Sequence, residues 1–389
     1  MKIKALMGCF LLAAGGLFAD QPVLKIGVDA VMSGYAASWG LVNKYSAETT
    51  AAMINAAGGW KIGDKTYTIE IVALDDKLDP QLSASNMEKL TSMGIKYIIG
   101  PNVDTTEGAD IPVVEKAKAM NIVFSYNKEF YALPRTASIL GMIASYQAGP
   151  VMYKYLMDKK GVKKIAFLAR NEADPLNQMK EGEAAAKSLG LQIVSTGGTY
   201  EPGTTDFSAS IQAVIAKGPD LIDLSGVAPP DAALLLKAAR ESGYKGLLCT
   251  ETAQDAKVLS QSAGAAAEGF ISVGGASTPA IQTPYMQAFV KEYVKRVGEW
   301  NDEAGTKVYA LEMILRTLQK AGPAAISDTA LFKKTMETLV IPNPFVKGNP
   351  PLKFVGKAYF QQPHQIGVPM VVNEYHNGDF QPLFIGNVD

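Results

Sequence analysis

Between Val23 and Phe124 short apolar runs alternate with longer amphipathic stretches, and this alternation restricts the fold more than any other feature of the chain. Val23-Leu24-Lys25-Ile26-Gly27-Val28 reads as a strand, and Lys44 to Ala57 as a helix stopped by Gly58-Gly59. Tyr67 to Leu74 is a second strand. Asp79-Pro80 then supplies a helix cap and a residue suited to the first helical position, for a helix running to Met93. Tyr97-Ile98-Ile99-Gly100 is a third strand, a helix from Thr105 or Thr106 extends to Met120, and Ile122-Val123-Phe124 is a fourth strand. Strands this short and this apolar need cover on both faces, which predicts a parallel sheet with right-handed helical crossovers.

The pattern restarts after Leu140. A helix from Ala144 is followed by a strand at Lys164–Ala169, a helix opened by Asp174-Pro175, a strand at Leu191–Ser195 and a helix from Asp206. A strand at Leu221–Leu224, a helix at Pro230–Ser242 and a strand at Gly246–Cys249 complete it. At 389 residues the chain exceeds the size that one core usually serves. The expected fold class is therefore α/β, with two doubly wound parallel-sheet lobes. A shared phrase supports the pairing: Asp79, Ser83-Ala84-Ser85 and Gly100 in one half, and Asp206, Ser208-Ala209-Ser210 and Gly226 in the other.

Helices at Gln282–Gly298 and Gly305–Gly322 and from Thr329 are expected to return to the first lobe. Strands within Leu352–Phe360, Ile366–Asn373 and Phe380–Ile385, with Asn377-Gly378 as a hairpin turn, are expected to return to the second. The reading is lobe I at 20–142 and 275–345 and lobe II at 143–274 and 346–389. Three hinge crossings follow, near Leu140–Ile143, Phe270–Gly275 and Phe345–Leu352.

Residues 1–19 read as an address: Lys2 and Lys4, an apolar run from Ala5 to Phe18, then Ala19 before Asp20. That run suits a signal peptide cleaved after Ala19 and a periplasmic destination. Leu6-Met7-Gly8-Cys9 has too short an apolar run before it for lipidation at Cys9. Beyond the address Cys249 is the only cysteine, so packing rather than a disulfide must hold the fold. With 37 basic and 38 acidic residues the chain offers no field to attract nucleic acid.

The usual catalytic signatures are missing. The two histidines, His364 and His376, have no zinc-ligand spacing, no glycine pattern for nucleotide phosphates follows a strand, and no Gly-x-Ser-x-Gly elbow occurs. Asp75-Asp76 with Asp79 admits a cation site, but is read as a solvated turn and helix cap. No enzyme activity, metal or cofactor is expected.

Open α/β sheets hold ligands in the loops outside the carboxyl ends of their strands. Those loops carry Ser33, Tyr35 and Trp39 after the first strand, and Asn102, Asp104, Thr105 and Thr106 after the third. Tyr126, Asn127 and Lys128 follow the fourth. In the second half they carry Arg170, Asn171 and Glu172, then Gly226, then Glu251. These are the candidate ligand-binding residues; packing is the competing role for Trp39 and Tyr126.

Several phrases resemble the type I periplasmic binding proteins of branched-chain amino acid ABC transporters, the family of the leucine/isoleucine/valine-binding protein. They are Lys25-Ile26-Gly27-Val28, Met53-Ile54-Asn55-Ala56-Ala57-Gly58-Gly59, Asp75-Asp76 with Asp79-Pro80, and Ile98-Ile99-Gly100-Pro101, with Thr205-Asp206-Phe207-Ser208 and Pro230-Asp231-Ala232-Ala233 in the second half. The resemblance implies a monomer that binds a small molecule without altering it and hands it to a membrane permease. By position it implies Thr105 and Thr106 at the ligand's carboxylate and Glu251 near its ammonium group. Ser125-Tyr126-Asn127-Lys128 departs from the small residue and threonine usual there, which points to a carboxylate other than leucine or valine, aromatic acids included, with Lys128 or Arg170 as counter-charge; Glu251 favours an amine-bearing ligand instead. A ligand-sensing module for a partner receptor and an enzyme are the other readings that this fold admits.

Overall fold

The structure is a computed structural model describing residues 21–34, 36–348 and 351–387. The signal-peptide reading of residues 1–19 and the candidate Tyr35 lie outside the described residues. The chain opens with β1 (Val23–Ala30), α1 (Ala37–Ala56), the antiparallel pair β2 (Trp60–Ile62) and β3 (Lys65–Asp75), and α2 (Pro80–Ser92). It continues with β4 (Tyr97–Ile99), α3 (Asp104–Lys116), β5 (Met120–Val123) and β6 (Ser138–Leu140). The second half runs α4 (Ser145–Lys160), β7 (Lys164–Arg170), α5 (Ala173–Ser188), β8 (Gln192–Tyr200), α6 (Ser208–Ile215) and β9 (Leu221–Ser225). Then come α7 (Pro229–Glu241), β10 (Leu247–Thr250), α8 (Ala256–Ser262) and β11 (Ile271–Gly274).

The last part holds α9 (Pro284–Val297), α10 (Ala304–Lys307), α11 (Tyr309–Ala321), α12 (Thr329–Met336), β12 (Val340–Ile341) and β13 (Leu352–Val355). It ends with α13 (Lys357–Phe360), β14 (Gln365–Ile366), β15 (Pro369–His376) and β16 (Asp379–Asn387). Two sheets result, in the orders β12-β13-β14-β6-β5-β4-β1-β3-β2 and β16-β15-β11-β10-β9-β7-β8. Their centres are parallel, and β2, β12, β13, β15 and β16 add antiparallel pairings toward the edges. This is the expected α/β architecture of two doubly wound lobes.

Local chemistry accounts for the elements. Asp79 caps α2 by accepting from Leu82 N at 2.8 Å, with Pro80 at the first helical position. Gly161, at φ 72°, ends α4 in the left-handed conformation a Cβ disfavours. Ile26, Val28, Ile99 and Ile122 are buried in the first lobe, as are Leu168, Ile222, Leu224 and Leu236 in the second. Helix α3 starts at Asp104 and stops at Lys116, earlier than expected, which frees Met120 to pair with Tyr97 in the sheet.

One boundary needs correction. The tail's aromatic and β-branched stretches do not all join the second sheet: β14 pairs with β6 through Gln365 and Leu140, and β13 pairs with β14, so both lie in the first. The assignment of 346–389 to lobe II thus fails for its first part. The third crossing lies between Ile366 and Pro369, not within Phe345–Leu352.

Candidate functional site

In the first sheet β1 lies between β3 and β4, and in the second β7 lies between β8 and β9. The chain leaves such a central strand to opposite sides, so adjacent loops part at its carboxyl end and open a crevice. The two crevices face each other and form one cleft of about 380 Å³. Trp39, Asn102, Thr105 and Tyr126 line it from the first lobe, and Arg170, Glu172, Gly226 and Glu251 from the second. Asn102 ties the loop after β4 to helix α1, donating to the Trp39 carbonyl at 3.1 Å and accepting from Asn43 at 3.2 Å.

Other candidates sit elsewhere. Thr106 is buried and its hydroxyl donates to the Val103 carbonyl at 3.1 Å, so of the two threonines only Thr105 faces the cleft. Ser33 is exposed and hydrogen-bonds Asp75 instead. Asn127 caps the turn 128–130 by accepting from Glu129 N at 3.0 Å, and Asn171 donates to Glu201 at 2.9 Å.

Several polar candidates turn out to join the lobes. Lys128 pairs with Glu181 of α5 at 3.0 Å and lies 4.2 Å from the centre of the Tyr146 ring, at the start of α4. Asp104 accepts from Ser125 on its own lobe and from Asn177 of α5 at 3.5 Å, and it hydrogen-bonds Asp174. Burial and the neighbouring Asp104 push Asp174 up to about 7.

The expected counter-charges are already engaged. Arg170 Nε donates to Glu172 at 2.8 Å and its Nη1 reaches Asp231 at 3.5 Å, so its charge is balanced inside the second lobe. Lys128 is held by Glu181. Glu251 borders the cleft, but its carboxyl turns inward: Tyr153 donates to Oε1, Asp223 hydrogen-bonds it, and Oε2 is closed to solvent. Tyr153 Oη also lies 2.8 Å from Asp223, and its one proton serves only one of the two carboxyls. Burial and the Asp223 charge raise Glu251 well above the carboxylate range.

The residues that sequence reasoning missed come from a helical region as well as from strand ends. Glu303, Thr306, Lys307 and Tyr309 reach the cleft from the α10–α11 region, and Phe124 and Met142 border it from the first lobe. Burial pushes Lys307 down to about 8, with Glu303 one turn earlier acting in the opposite sense. Glu303 itself is pushed up to about 7, chiefly by burial. A glutamate and a lysine four apart, interleaved with apolar Ala304, Val308 and Tyr309, was the available signal.

The acids after β3 serve backbone chemistry. Asp75 accepts from Met32 N at 2.8 Å and Lys77 N at 3.0 Å, and Asp76 from Leu78 N at 2.8 Å. Among the described residues no group of three or more His, Cys, Asp or Glu side chains is placed to hold a metal ion. His364 is buried against the Ser138 carbonyl at 2.9 Å, and His376 lies between Glu268 and Glu374; neither is among the residues that line the cleft.

A cleft shared by two doubly wound lobes has counterparts among known proteins. The model of the family described as "Periplasmic binding protein" matches residues 23–379. The chain belongs to the periplasmic binding protein family. Within it the kinship is with the type I, branched-chain amino acid branch. The Leu/Ile/Val-binding protein of Escherichia coli K12 is 28% identical over 284 residues, 70% of this chain and 72% of that protein. Two solved structures have a TM-score of 0.76 at 20% identity and cover 94% of this chain and 99% of theirs. They are a leucine-binding protein from Thermotoga maritima and a branched-chain amino acid transporter substrate-binding protein from Streptococcus pneumoniae, in complex with isoleucine. An ABC-transporter solute-binding protein from R. palustris in complex with 4-hydroxybenzoate has a TM-score of 0.74 at 18% identity, covering 94% of this chain and 97% of its own. Among the described residues of this binding protein no helix is long and apolar enough to cross a membrane.

Proposed function

We propose that the chain is the extracytoplasmic solute-binding component of an ABC importer, exported by a cleaved signal peptide and acting as a monomer. It captures a small carboxylate, an amino acid or an aromatic acid, between its lobes, closes by hinge motion and presents the ligand unaltered to a membrane permease. The observation that carries the reading is the single cleft bordered by strand-end loops of both sheets, with three chain crossings beside it to bend. Rings and aliphatic groups, among them Trp39, Phe124, Tyr126 and Val273, supply an apolar wall, and a few charged groups supply orientation.

Ligand closes the lobes only through its higher affinity for the closed state. Thermal shift and small-angle scattering with leucine, isoleucine, benzoate and 4-hydroxybenzoate test this. At one hundred times its Kd a ligand adds about 2.7 kcal/mol of stability. At least one of the four is expected to raise Tm and reduce the radius of gyration; no shift and no compaction with any of them defeats the reading.

A further inference from the structure

Two cations line the cleft, Arg170 and Lys307. Arg170 is bound by Glu172 and Asp231. Lys307 has a different environment. Its ammonium lies 4.0 Å from the centre of the Phe124 ring and 3.9 Å from Met142 Sδ, and among the described residues it makes no ion pair within 4.0 Å. Glu303, on the preceding turn, acts on it through space.

Lys307 is half-buried, and a ring face and a thioether are poor compensation for the part of its hydration that is lost, since cation–π contact recovers only some of it. The free donor directions of Nζ call for acceptors, and the cleft that Lys307 borders is the place from which one can reach it. Resting on the reading that the chain binds a solute there, we propose that Lys307 anchors the ligand's carboxylate, from the α10 helix of the first lobe, and that the ligand is a carboxylic acid with an apolar body.

Three features support this placement over the loop after β4. Thr106 is turned away and hydrogen-bonded to Val103. Glu251, the acid that would take an ammonium group, is enclosed with Tyr153 and Asp223. Phe124 lies against Lys307, and Trp39, Tyr126 and Tyr309 line the same cleft with rings suited to an apolar body. The ammonium thus defines one end of the ligand and the rings its flank.

The test measures affinity of the full chain for benzoate, 4-hydroxybenzoate, leucine and isoleucine by titration calorimetry, for wild type, Lys307→Met and Lys307→Arg. Truncating one partner of a buried charge pair costs about 2–5 kcal/mol, so the Met variant should bind the wild type's preferred acid at least about 30-fold more weakly. The Arg variant, with its charge kept, should retain more of the affinity than Met. A second measurement needs no variant: each acid is compared with its amide on wild type, and the amide should bind at least about 30-fold more weakly for the same reason. Met-variant affinity equal to wild type's, or an amide bound as tightly as its acid, overturns the assignment while leaving the solute-binding reading intact. Wild type that binds none of the four acids overturns both.

Discussion

Ser83 has one hydroxyl proton and stands between two buried carboxyls, with Asp29 Oδ2 at 2.7 Å and Asp110 Oδ2 at 2.9 Å. That proton can serve only one oxygen, so one of the acids must itself carry a proton and donate. Burial raises Asp110 to about 9, assisted by Glu107 and Asp29; Asp29 rises to about 7 despite the hydrogen bonds from Ser83 and Asn86. A carboxyl whose folded pKa lies above its unfolded value gives stability that is complete below the unfolded pKa and lost as pH rises through the folded one. For Asp110 the window runs from about 4 to about 9. We therefore expect wild-type stability to fall across pH 5 to 9 more steeply than that of Asp110→Asn, in urea titrations at matched pH. Parallel slopes would show that Asp110 does not hold the proton. None of this was legible in the sequence, where Asp29, Ser83 and Asp110 are ordinary polar residues of a strand and two helices. Lys307 was hidden for a related reason: its setting depends on Phe124 and Met142, which come from distant chain.

At the scale of elements, β4 ends where the sequence placed it because Gly100 must be a glycine. Its φ is +107°, and a Cβ there would stand 1.8 Å from the Asp29 carbonyl oxygen at the end of β1. The left-handed backbone alone costs a side chain roughly 1–3 kcal/mol, and the clash adds to it. Gly100→Ala should lose at least about 2 kcal/mol in equilibrium urea unfolding. A loss below about 0.5 kcal/mol would refute the close approach of β1 and the end of β4. Such local requirements made the βα units legible: caps, stop glycines and apolar runs are written within a few residues. The pairing of β13 and β14 is not, because Phe354 opposite Ile366 and Gln365 beside Leu140 are long-range registers. The tail's aromatic stretches share one periodicity yet divide between two sheets. Ser138–Leu140 and Ile271–Gly274 also escaped, being strands of three and four residues, the second within an expected hinge.

At the scale of the molecule the lobes meet through side chains that were expected to hold the ligand. Lys128 and Glu181 are each more than a third exposed, so their pairing adds little to closure in salt. The contact between Asp104 and Asp174 has more consequence. Both sit in the first turns of helices, α3 and α5, where the helix dipole favours carboxylate, yet their side chains hydrogen-bond each other across the cleft. Two carboxyls share a hydrogen bond only if one is protonated. On the hinge motion proposed above, opening the lobes would remove Asp104 from Asp174 and admit water, both of which would lower the Asp174 pKa from about 7 toward its ordinary value. The closed state therefore binds the extra proton, and closure driven by ligand should weaken as pH rises through about 7. Glu303 and Lys307 titrate in the same cleft, so the wild-type profile alone is a composite. Its difference from Asp174→Asn isolates the pair, because asparagine can donate to Asp104 at every pH. Calorimetric affinities for the acid that wild type prefers, taken between pH 5.5 and 8.5, should decline more for wild type than for the variant. Superimposable declines would mean that the two carboxyls do not meet when the ligand is held.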